Sequence, residues 1–243
     1  MKRVLLTISY DGTSYHGWQV QPNGITVQQC LQDSLEKLLG KRVSVTGCSR
    51  TDAGVHAKEF YCHLDCEDHF PENAFLKGLN SLLPNDISVL NCQEVANDFH
   101  ARYAARGKKY IYYMYFGVQN PFDARYKLHI EKLPNIDLMN AFCSTIIGTH
   151  NFAAFSSSKR TVDDTTRTVK ECCVKQNGNT LSFEIIADGF LYNMVRILAG
   201  TALAVGLGRL DKNCADEIFK TNNRALAGDT LPPHGLFLDE VFY

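Results

Sequence analysis

A chain of 243 residues can bury a substantial core, either as one large domain or as two smaller ones packed together. Its 45% hydrophobic and 21% charged residues are typical of a folded globular protein and exclude a disordered chain. The formal net charge of -1 excludes a global basic field, so a nucleic-acid partner would need a local concentration of cations.

The first half of the chain predicts strands and helices in the order β-α-β-β-α-β. Alternating apolar residues mark its strands, and a capping residue at Thr26 with Gly40 at the other end delimits its first helix. In chain order we expect a strand at 4–10, a helix at 26–40, strands at 43–46 and 60–64, a helix at 71–83 and a strand at 87–93. This order is the split arrangement of ferredoxin-like folds.

The second half predicts a similar order. We expect a tyrosine-rich strand at 108–116, a helix at 138–148, a hairpin of 168–175 and 181–187 about Asn177-Gly178, an apolar helix from 190, a shorter helix after 211 and a closing strand at 236–243. The predicted fold class is α+β, with two ferredoxin-like (βαββαβ) halves, 1–104 and 105–243, that share a mostly antiparallel central sheet.

The N-terminus runs directly into a strand and lacks the apolar run of a signal peptide, so we expect a soluble cytoplasmic protein. The apolar segment 189–208 contains Arg196 and several glycines, which favours a buried core helix over a membrane span. The nine cysteines are therefore expected to be reduced and mostly buried.

A zinc site is the alternative for Cys62 and Cys66, which lie near His56, His63 and His69 in the sequence. The paired knuckles of a structural zinc are missing, because no Cys-x-x-Cys pair occurs. We expect no metal.

A long turn at 11–24 separates the first strand from the first helix. It holds the only tryptophan, Trp18, followed by Gln19, together with three glycines and several hydroxyl and amide groups. Loops of this length in compact domains are often functional, and an aromatic ring with amides suits stacked, hydrogen-bonded bases. Packing of Trp18 as a lid on the core is the structural alternative.

The loop at 48–57 contains Arg50, Asp52 and Gly54 between two predicted strands. A glycine there permits unusual dihedral angles or close approach of a ligand. A local ion pair of Asp52 with Arg50, or a simple turn, would also fit this pattern.

Arg196 is the only charged residue between Gly189 and Gly208 and is expected in the middle of an apolar helix. Burial of a guanidinium without a carboxylate would cost several kcal/mol, so a partner is expected. A loop carboxylate such as Asp52 is a candidate, and the pairing would keep it ionised for nucleophilic catalysis. Capping of main-chain carbonyls by Arg196 is the alternative.

A short basic segment precedes the tyrosine-rich strand. It contains Arg102, Arg106, Lys108 and Lys109, with Tyr110 immediately after them and no acid from His100 to Tyr110. Cations beside aromatic rings are typical of an RNA-binding site, and here they are concentrated locally although the net charge of the chain is not positive. A solvated linker leading into a core strand is the alternative.

Taken together, these motifs resemble those of the TruA-type tRNA pseudouridine synthase family over essentially the whole chain. Six of them occur in the right order: Tyr10-Asp11-Gly12 to Gly17-Trp18-Gln19, Arg50-Thr51-Asp52-Ala53-Gly54-Val55-His56, Phe99-His100-Ala101-Arg102, Lys109-Tyr110-Ile111-Tyr112, Phe190-Leu191-Tyr192-Asn193-Met194-Val195-Arg196 and Pro232-Pro233-His234-Gly235-Leu236. Ser49 stands where the family usually has glycine, which leaves the chemical residues intact.

The resemblance implies the pseudouridine synthase fold and isomerisation of uridine to pseudouridine at positions 38, 39 and 40 of the tRNA anticodon stem-loop. It implies that Asp52 is the nucleophile, Tyr110 stacks on the target base and Arg196 pairs with the catalytic carboxylate. It further implies that Arg50 helps the target nucleotide leave the stack, that the protein is a homodimer, and that no cofactor or metal takes part.

Two other classes of function compete with this interpretation. A non-catalytic RNA-binding module would not need Arg196 beside Asp52. A glycosidase would need a second catalytic carboxylate, and the motifs nominate none.

Overall fold

The computed structural model describes residues 1–67, 71–157 and 163–243. The chain divides into two units, which we call unit 1 (Met1–Arg106 with Phe237–Tyr243) and unit 2 (Gly107–Leu236). The sequence placed the boundary slightly earlier and assigned the last strand to the second half. That strand belongs instead to unit 1.

Unit 1 has the βαββαβ order that the sequence predicts. Its elements are β1 (Lys2–Tyr10), α1 (Val27–Leu39), β2 (Thr46–Gly47), β3 (His56–Cys66), α2 (Glu72–Leu82) and β4 (Ile87–Val95). β1 pairs antiparallel with both β3 and β4, and β2 pairs antiparallel with β3. The strand order β4-β1-β3-β2 is therefore that of a ferredoxin-like sheet.

Local sequence signals set the bounds of α1. The Thr26 hydroxyl accepts a hydrogen bond from the Gln29 amide, and Gly40 ends the helix with a left-handed φ of 72°. The strand predicted at 43–46 is wrong in its extent, because only Thr46 and Gly47 pair with β3. Side-chain amides of α1, from Gln28 and Gln32, donate to the carbonyls of Val45 and Val43.

Unit 2 contains five strands and three α-helices in the residues described. They are β5 (Gly107–Phe116), β6 (Leu128–Ile130), α3 (Ile136–Thr145), β7 (Gly148–Asn151), β8 (Thr166–Asn177), β9 (Thr180–Ala187), α4 (Met194–Gly206) and α5 (Cys214–Thr221). The antiparallel order is β5-β9-β8-β7, and β6 pairs parallel with β5. The sequence did not predict β6 and β7, which have three and four residues.

The predicted hairpin and apolar helix are both present in unit 2, with shifted bounds. Asn177 pairs with Thr180, so the turn is formed by Gly178 and Asn179, with Gly178 at a φ of 58°. α4 begins at Met194 rather than at 190, because Asn193 before it takes a left-handed φ of 62°. α4 is almost entirely buried, as predicted, and no helix in the described ranges is long and apolar enough to cross a membrane.

The last strand, β10 (Leu236–Phe242), pairs parallel with β3 through Phe237 opposite His56 and Leu238 opposite Ala57. This pairing is why the strand belongs to unit 1. The fold class is α+β, as the sequence predicts, and each unit has a mostly antiparallel sheet. A central sheet shared by the two halves stays a prediction.

All nine cysteines are free thiols, and six of them are buried. Burial raises the pKa of the Cys62 thiol well above its usual value and raises the pKa of Cys92 to about 12. Thiols of this kind are mostly protonated at neutral pH and react slowly. The cysteines are therefore suited to packing.

Candidate active site

Asp52 lies half-buried in unit 1, in the loop that joins β2 to β3. The Val55 amide donates to the Asp52 carbonyl at 3.1 Å, which closes a tight turn through Ala53 and Gly54. Gly54 has a φ of 77°, a conformation that favours glycine. The turn fixes the backbone that carries the Asp52 carboxylate.

The loop at 11–24 braces this turn directly. The Trp18 amide donates to the Thr51 carbonyl at 3.2 Å, and the Gly54 amide donates to the Tyr15 carbonyl at 3.2 Å. The buried hydroxyls of Tyr10 and Thr51 share a hydrogen bond of 2.8 Å. The first loop therefore holds the Thr51–Asp52 peptide and Gly54, and the turn itself holds the Asp52–Ala53 peptide.

Two glycines allow the two loops to approach this closely. A Cβ on Gly17 would lie 2.4 Å from the Thr51 carbonyl oxygen, and Gly17 has a φ of 82°. A Cβ on Gly12 would lie 2.0 Å from the carbonyl oxygen of Val55. Any side chain at either position would displace the loop that carries Asp52.

Trp18 has a structural environment. Its side chain is 2% exposed and its ring packs on Phe60 at a centroid distance of 4.1 Å. A Cβ on Gly47 would lie 2.7 Å from the indole, so the ring fits tightly. Direct contact of the indole with a substrate is therefore disfavoured, whereas its neighbour Gln19 is exposed.

A buried histidine, His56, completes the brace, a role that the sequence did not predict. The Nδ1 atom of His56 lies 3.0 Å from the amide nitrogen of Gly12 and 3.0 Å from a carboxylate oxygen of Asp11. The His56 ring also stacks on Phe237 of β10 at 4.5 Å. The only signal in the sequence was the presence of His56 and Asp11 in two motifs.

A second buried contact anchors the same loop. The Tyr15 hydroxyl donates to the Asp86 carboxylate at 2.5 Å, and the Asp11 amide donates to the Asp86 carbonyl at 2.9 Å. Burial and this carboxylate both raise the pKa of Tyr15, so the phenol stays protonated. Asp86 lies just before β4, far from the first loop in the sequence, so no local sequence pattern predicts this contact.

Two arginines of unit 1 lie close enough to affect each other. Arg50 is exposed and Arg102 is half-buried. Burial of Arg102 and the nearby positive charge of Arg50 both lower the pKa of Arg102. Like charges held together in this way favour an anionic partner.

Arg196 lies in the first turn of α4, in unit 2, and is half-buried. The expectation of a fully buried mid-helix position is therefore wrong, because the helix begins four residues later than predicted. Its Nε donates to the Leu231 carbonyl at 2.6 Å and its terminal nitrogen donates to the Asn193 side-chain carbonyl at 2.8 Å. Capping of carbonyls, the alternative considered from the sequence, is thus part of its environment.

Asn193 links Arg196 to the preceding chain. Its side-chain NH₂ donates to the Ser157 hydroxyl at 2.8 Å, while its carbonyl accepts from Arg196. A cation at a helix N-terminus is disfavoured by the helix dipole by about 0.3–1 kcal/mol. These acceptors therefore orient a guanidinium that helix electrostatics alone would not place there.

Tyr110 lies near the start of β5 and is 5% exposed. Its ring meets Phe190 edge-on at 5.0 Å. Tyr112 is fully buried and its hydroxyl donates to the Pro232 carbonyl at 2.7 Å. Tyr112 is a core residue, and stacking of Tyr110 on a base stays a prediction.

The basic segment is only partly available to a ligand. Lys109 pairs with Glu184 at 3.2 Å, and Lys175 pairs with the same carboxylate at 2.9 Å. Burial opposes ionisation of Glu184, but hydrogen bonds from these two lysines hold its pKa below the usual value. No acid lies near Lys109 in the sequence, but the pairing of β5 with β9 brings Glu184 next to it in the fold.

Arg106 is exposed and donates to the main-chain oxygen of Tyr243, and its own amide donates to the Phe242 carbonyl at 2.8 Å. Lys108 is half-buried in β5. Binding of RNA by these residues stays a prediction.

No group of three or more His, Cys, Asp or Glu side chains in the described part of the chain could hold a metal ion. Cys62 and Cys66 both lie on β3, where four residues span roughly 13 Å along the strand, too far for one zinc ion. His69 lies outside the described residues.

Comparisons with known proteins show the family of this chain. The family model described as tRNA pseudouridine synthase matches residues 6–104 and 142–243. The chain belongs to this family, whose members are isomerases.

The relatives narrow the likeness to one branch of the family. The chain is 44% identical to tRNA pseudouridine synthase A of Clostridium kluyveri, with all of both chains covered. It is 41% identical to tRNA pseudouridine synthase A 2 of Clostridium perfringens and 43% identical to tRNA pseudouridine synthase A of Ruminiclostridium cellulolyticum, again over all of both chains. This chain is thus similar over its full length to several proteins named tRNA pseudouridine synthase A.

Proposed function

We propose that this protein converts uridine to pseudouridine at positions 38, 39 and 40 of the tRNA anticodon stem-loop, with Asp52 as the nucleophile. The observation that carries the proposal is the braced loop of unit 1, in which the Trp18 amide holds the peptide before Asp52 and the Val55 amide holds the peptide after it. Full-length similarity to proteins named tRNA pseudouridine synthase A supports the substrate class.

The reaction is an isomerisation that needs no redox partner. The bond between C1′ of the ribose and N1 of uracil breaks, the base turns, and a bond forms between C1′ and C5. The proton on C5 is lost and N1 gains a proton, so atoms and charge balance. The Asp52 carboxylate can attack the sugar or the base, or remove a sugar proton, and each route requires its anionic form.

Arg196 is proposed as the cation that pairs with Asp52 and keeps it ionised. Support comes from the two acceptors, Asn193 and the Leu231 carbonyl, that orient its guanidinium within unit 2. Tyr110 is proposed to stack on the target base, and Arg50, which is exposed, to help that nucleotide leave the stack. The cost of such flipping is a few kcal/mol.

The wider tRNA surface is proposed to include the exposed Gln19 and the basic segment of Arg102, Arg106, Lys108 and Lys109. We propose that the buried Trp18 acts on binding by holding the loop that carries Gln19. By resemblance, the protein acts as a cytoplasmic homodimer, without cofactor or catalytic metal.

Incubation with a transcribed tRNA that carries uridine at positions 38–40 tests the proposal, with pseudouridine mapped by chemical derivatisation and primer extension. We expect conversion at these positions by the wild type and none by Asp52→Asn, which keeps the shape of the side chain but loses its charge. A tRNA with cytidine at the three positions is the matched control. Conversion only at other positions, or normal turnover by Asp52→Asn, would overturn the proposal.

A further inference from the structure

Tyr103 of unit 1 is unusually exposed for a tyrosine, at 81%. One face of its ring stacks on His100 with centroids 4.2 Å apart and planes 25° apart. We call this pair the Tyr103 platform. Because the stack with His100 orders the ring, another flat group can add to it without a large cost in side-chain entropy.

Hydrogen bonds fix the His100 ring beneath Tyr103. The Nδ1 atom of His100 accepts from the amides of Arg102 and Tyr103, each at 3.2 Å. The Ala104 amide donates to the His100 carbonyl at 2.9 Å. The two rings therefore sit on a closed turn and not on a loose loop.

The turn is anchored in the core of unit 1. The amide of the fully buried Ala101 donates to Nδ1 of His63 at 3.1 Å, and the Tyr243 hydroxyl donates to the Ala101 carbonyl at 2.8 Å. Arg3 donates to the carbonyl of Phe99 at 2.9 Å. The turn that carries the exposed ring is thus held to the rest of unit 1 by three hydrogen bonds.

Positive charge accompanies the platform. Arg102 is the residue before Tyr103, and it lies close enough to the exposed Arg50 for the two charges to interact. An aromatic face beside two guanidinium groups combines base stacking with phosphate attraction, as single-stranded nucleic-acid sites do.

We propose that the Tyr103 platform binds an unpaired nucleobase of the RNA substrate, at a site separate from the reacting nucleotide. The base stacks on the outer face of Tyr103, and the neighbouring Arg102 binds the phosphate beside it. Every base presents an aromatic face, so this contact is tolerant of sequence and serves affinity rather than choice of position. The inference rests on the proposed action on tRNA.

The test measures binding of a transcribed tRNA by fluorescence anisotropy for the wild type, Tyr103→Ala and Tyr103→Phe. Phe122→Ala removes another exposed ring, at 88%, and is the matched control. We expect Tyr103→Ala to weaken binding about tenfold, since loss of one base stack typically costs about 5- to 150-fold. Tyr103→Phe and Phe122→Ala should bind as the wild type does.

A second measurement uses tRNA substituted with 5-bromouridine, whose photocrosslinks are identified by mass spectrometry. We expect a crosslinked peptide that contains Tyr103. Unchanged tRNA affinity of Tyr103→Ala in a protein that converts uridine would overturn this inference and leave the proposed function intact. The inference would also be overturned if sedimentation showed that Tyr103→Ala changes the oligomeric state and that this change explains its loss of affinity. A wild type that neither binds nor converts the tRNA would overturn both.

Discussion

Replacement of Gly17 by alanine tests whether the brace of the Asp52 loop sets turnover. The added Cβ would lie 2.4 Å from the Thr51 carbonyl oxygen, whereas ordinary contacts begin near 3.4 Å, so the Thr51–Asp52 peptide must retreat by about 1 Å (3.4 minus 2.4). A displacement of about 1 Å at a reacting group can cost on the order of 100-fold in rate. We expect single-turnover conversion of uridine to fall by about that factor.

Gly40→Ala is the matched control for backbone strain. Gly40 has a φ of 72°, close to the 82° of Gly17, but a Cβ there would meet nothing within 4 Å. Both variants should lose about 1–2 kcal/mol of stability from the left-handed backbone. Only Gly17→Ala should lose turnover at saturating enzyme. Equal rates in the two variants, at comparable thermal stability, would refute the idea that the first loop holds Asp52 in place.

Three further predictions follow from the contacts of single side chains. Asn193→Gly keeps the left-handed backbone but removes an acceptor from Arg196, so kcat should fall about tenfold with little loss of stability. Asn193→Ala removes the same acceptor and also strains the backbone, so it should lower Tm as well. Equal Tm values for the two variants would contradict this. Burial and neighbouring cations lower the pKa of His63 from 6.5 to about 4. The contribution of neutral His63 to stability is therefore fully present above pH 6.5 and is lost as the pH falls towards 4, by on the order of 3 kcal/mol. His63→Asn keeps an acceptor without titrating, so its stability in urea unfolding should depend less on pH in this window. Arg102→Gln should flatten the salt dependence of tRNA binding more than Lys109→Gln, because a carboxylate already pairs with Lys109, and equal salt slopes would show that this pairing does not matter.

The sequence alone predicted the features that depend on near neighbours. The helix α1 begins and ends where Thr26 and Gly40 predict, because caps act within one turn. The βαββαβ order of unit 1 followed from apolar periodicity, and the family followed from six motifs in order. Gly54 in the Asp52 loop indicated an unusual backbone conformation, and its φ of 77° confirms it.

The tertiary structure decided which distant groups meet. In the folded protein Trp18 packs on Phe60, and Lys109 of β5 pairs with Glu184 of the neighbouring strand β9. The Trp18 amide donates to the Thr51 carbonyl. No local pattern encodes such choices, because a charged or aromatic side chain accepts any complementary neighbour that the fold brings near.

Arg196 illustrates the same division. Its isolation among apolar residues indicated a specific role, but the fold placed it in the first turn of α4 and supplied the Leu231 carbonyl from 35 positions away. Asn193 has a left-handed φ and fixes the residue at which α4 begins. The pattern of apolar residues does not show such a change at one residue. Local periodicity thus predicted the longer elements, and long-range packing determined the short strands and the partners of the functional side chains.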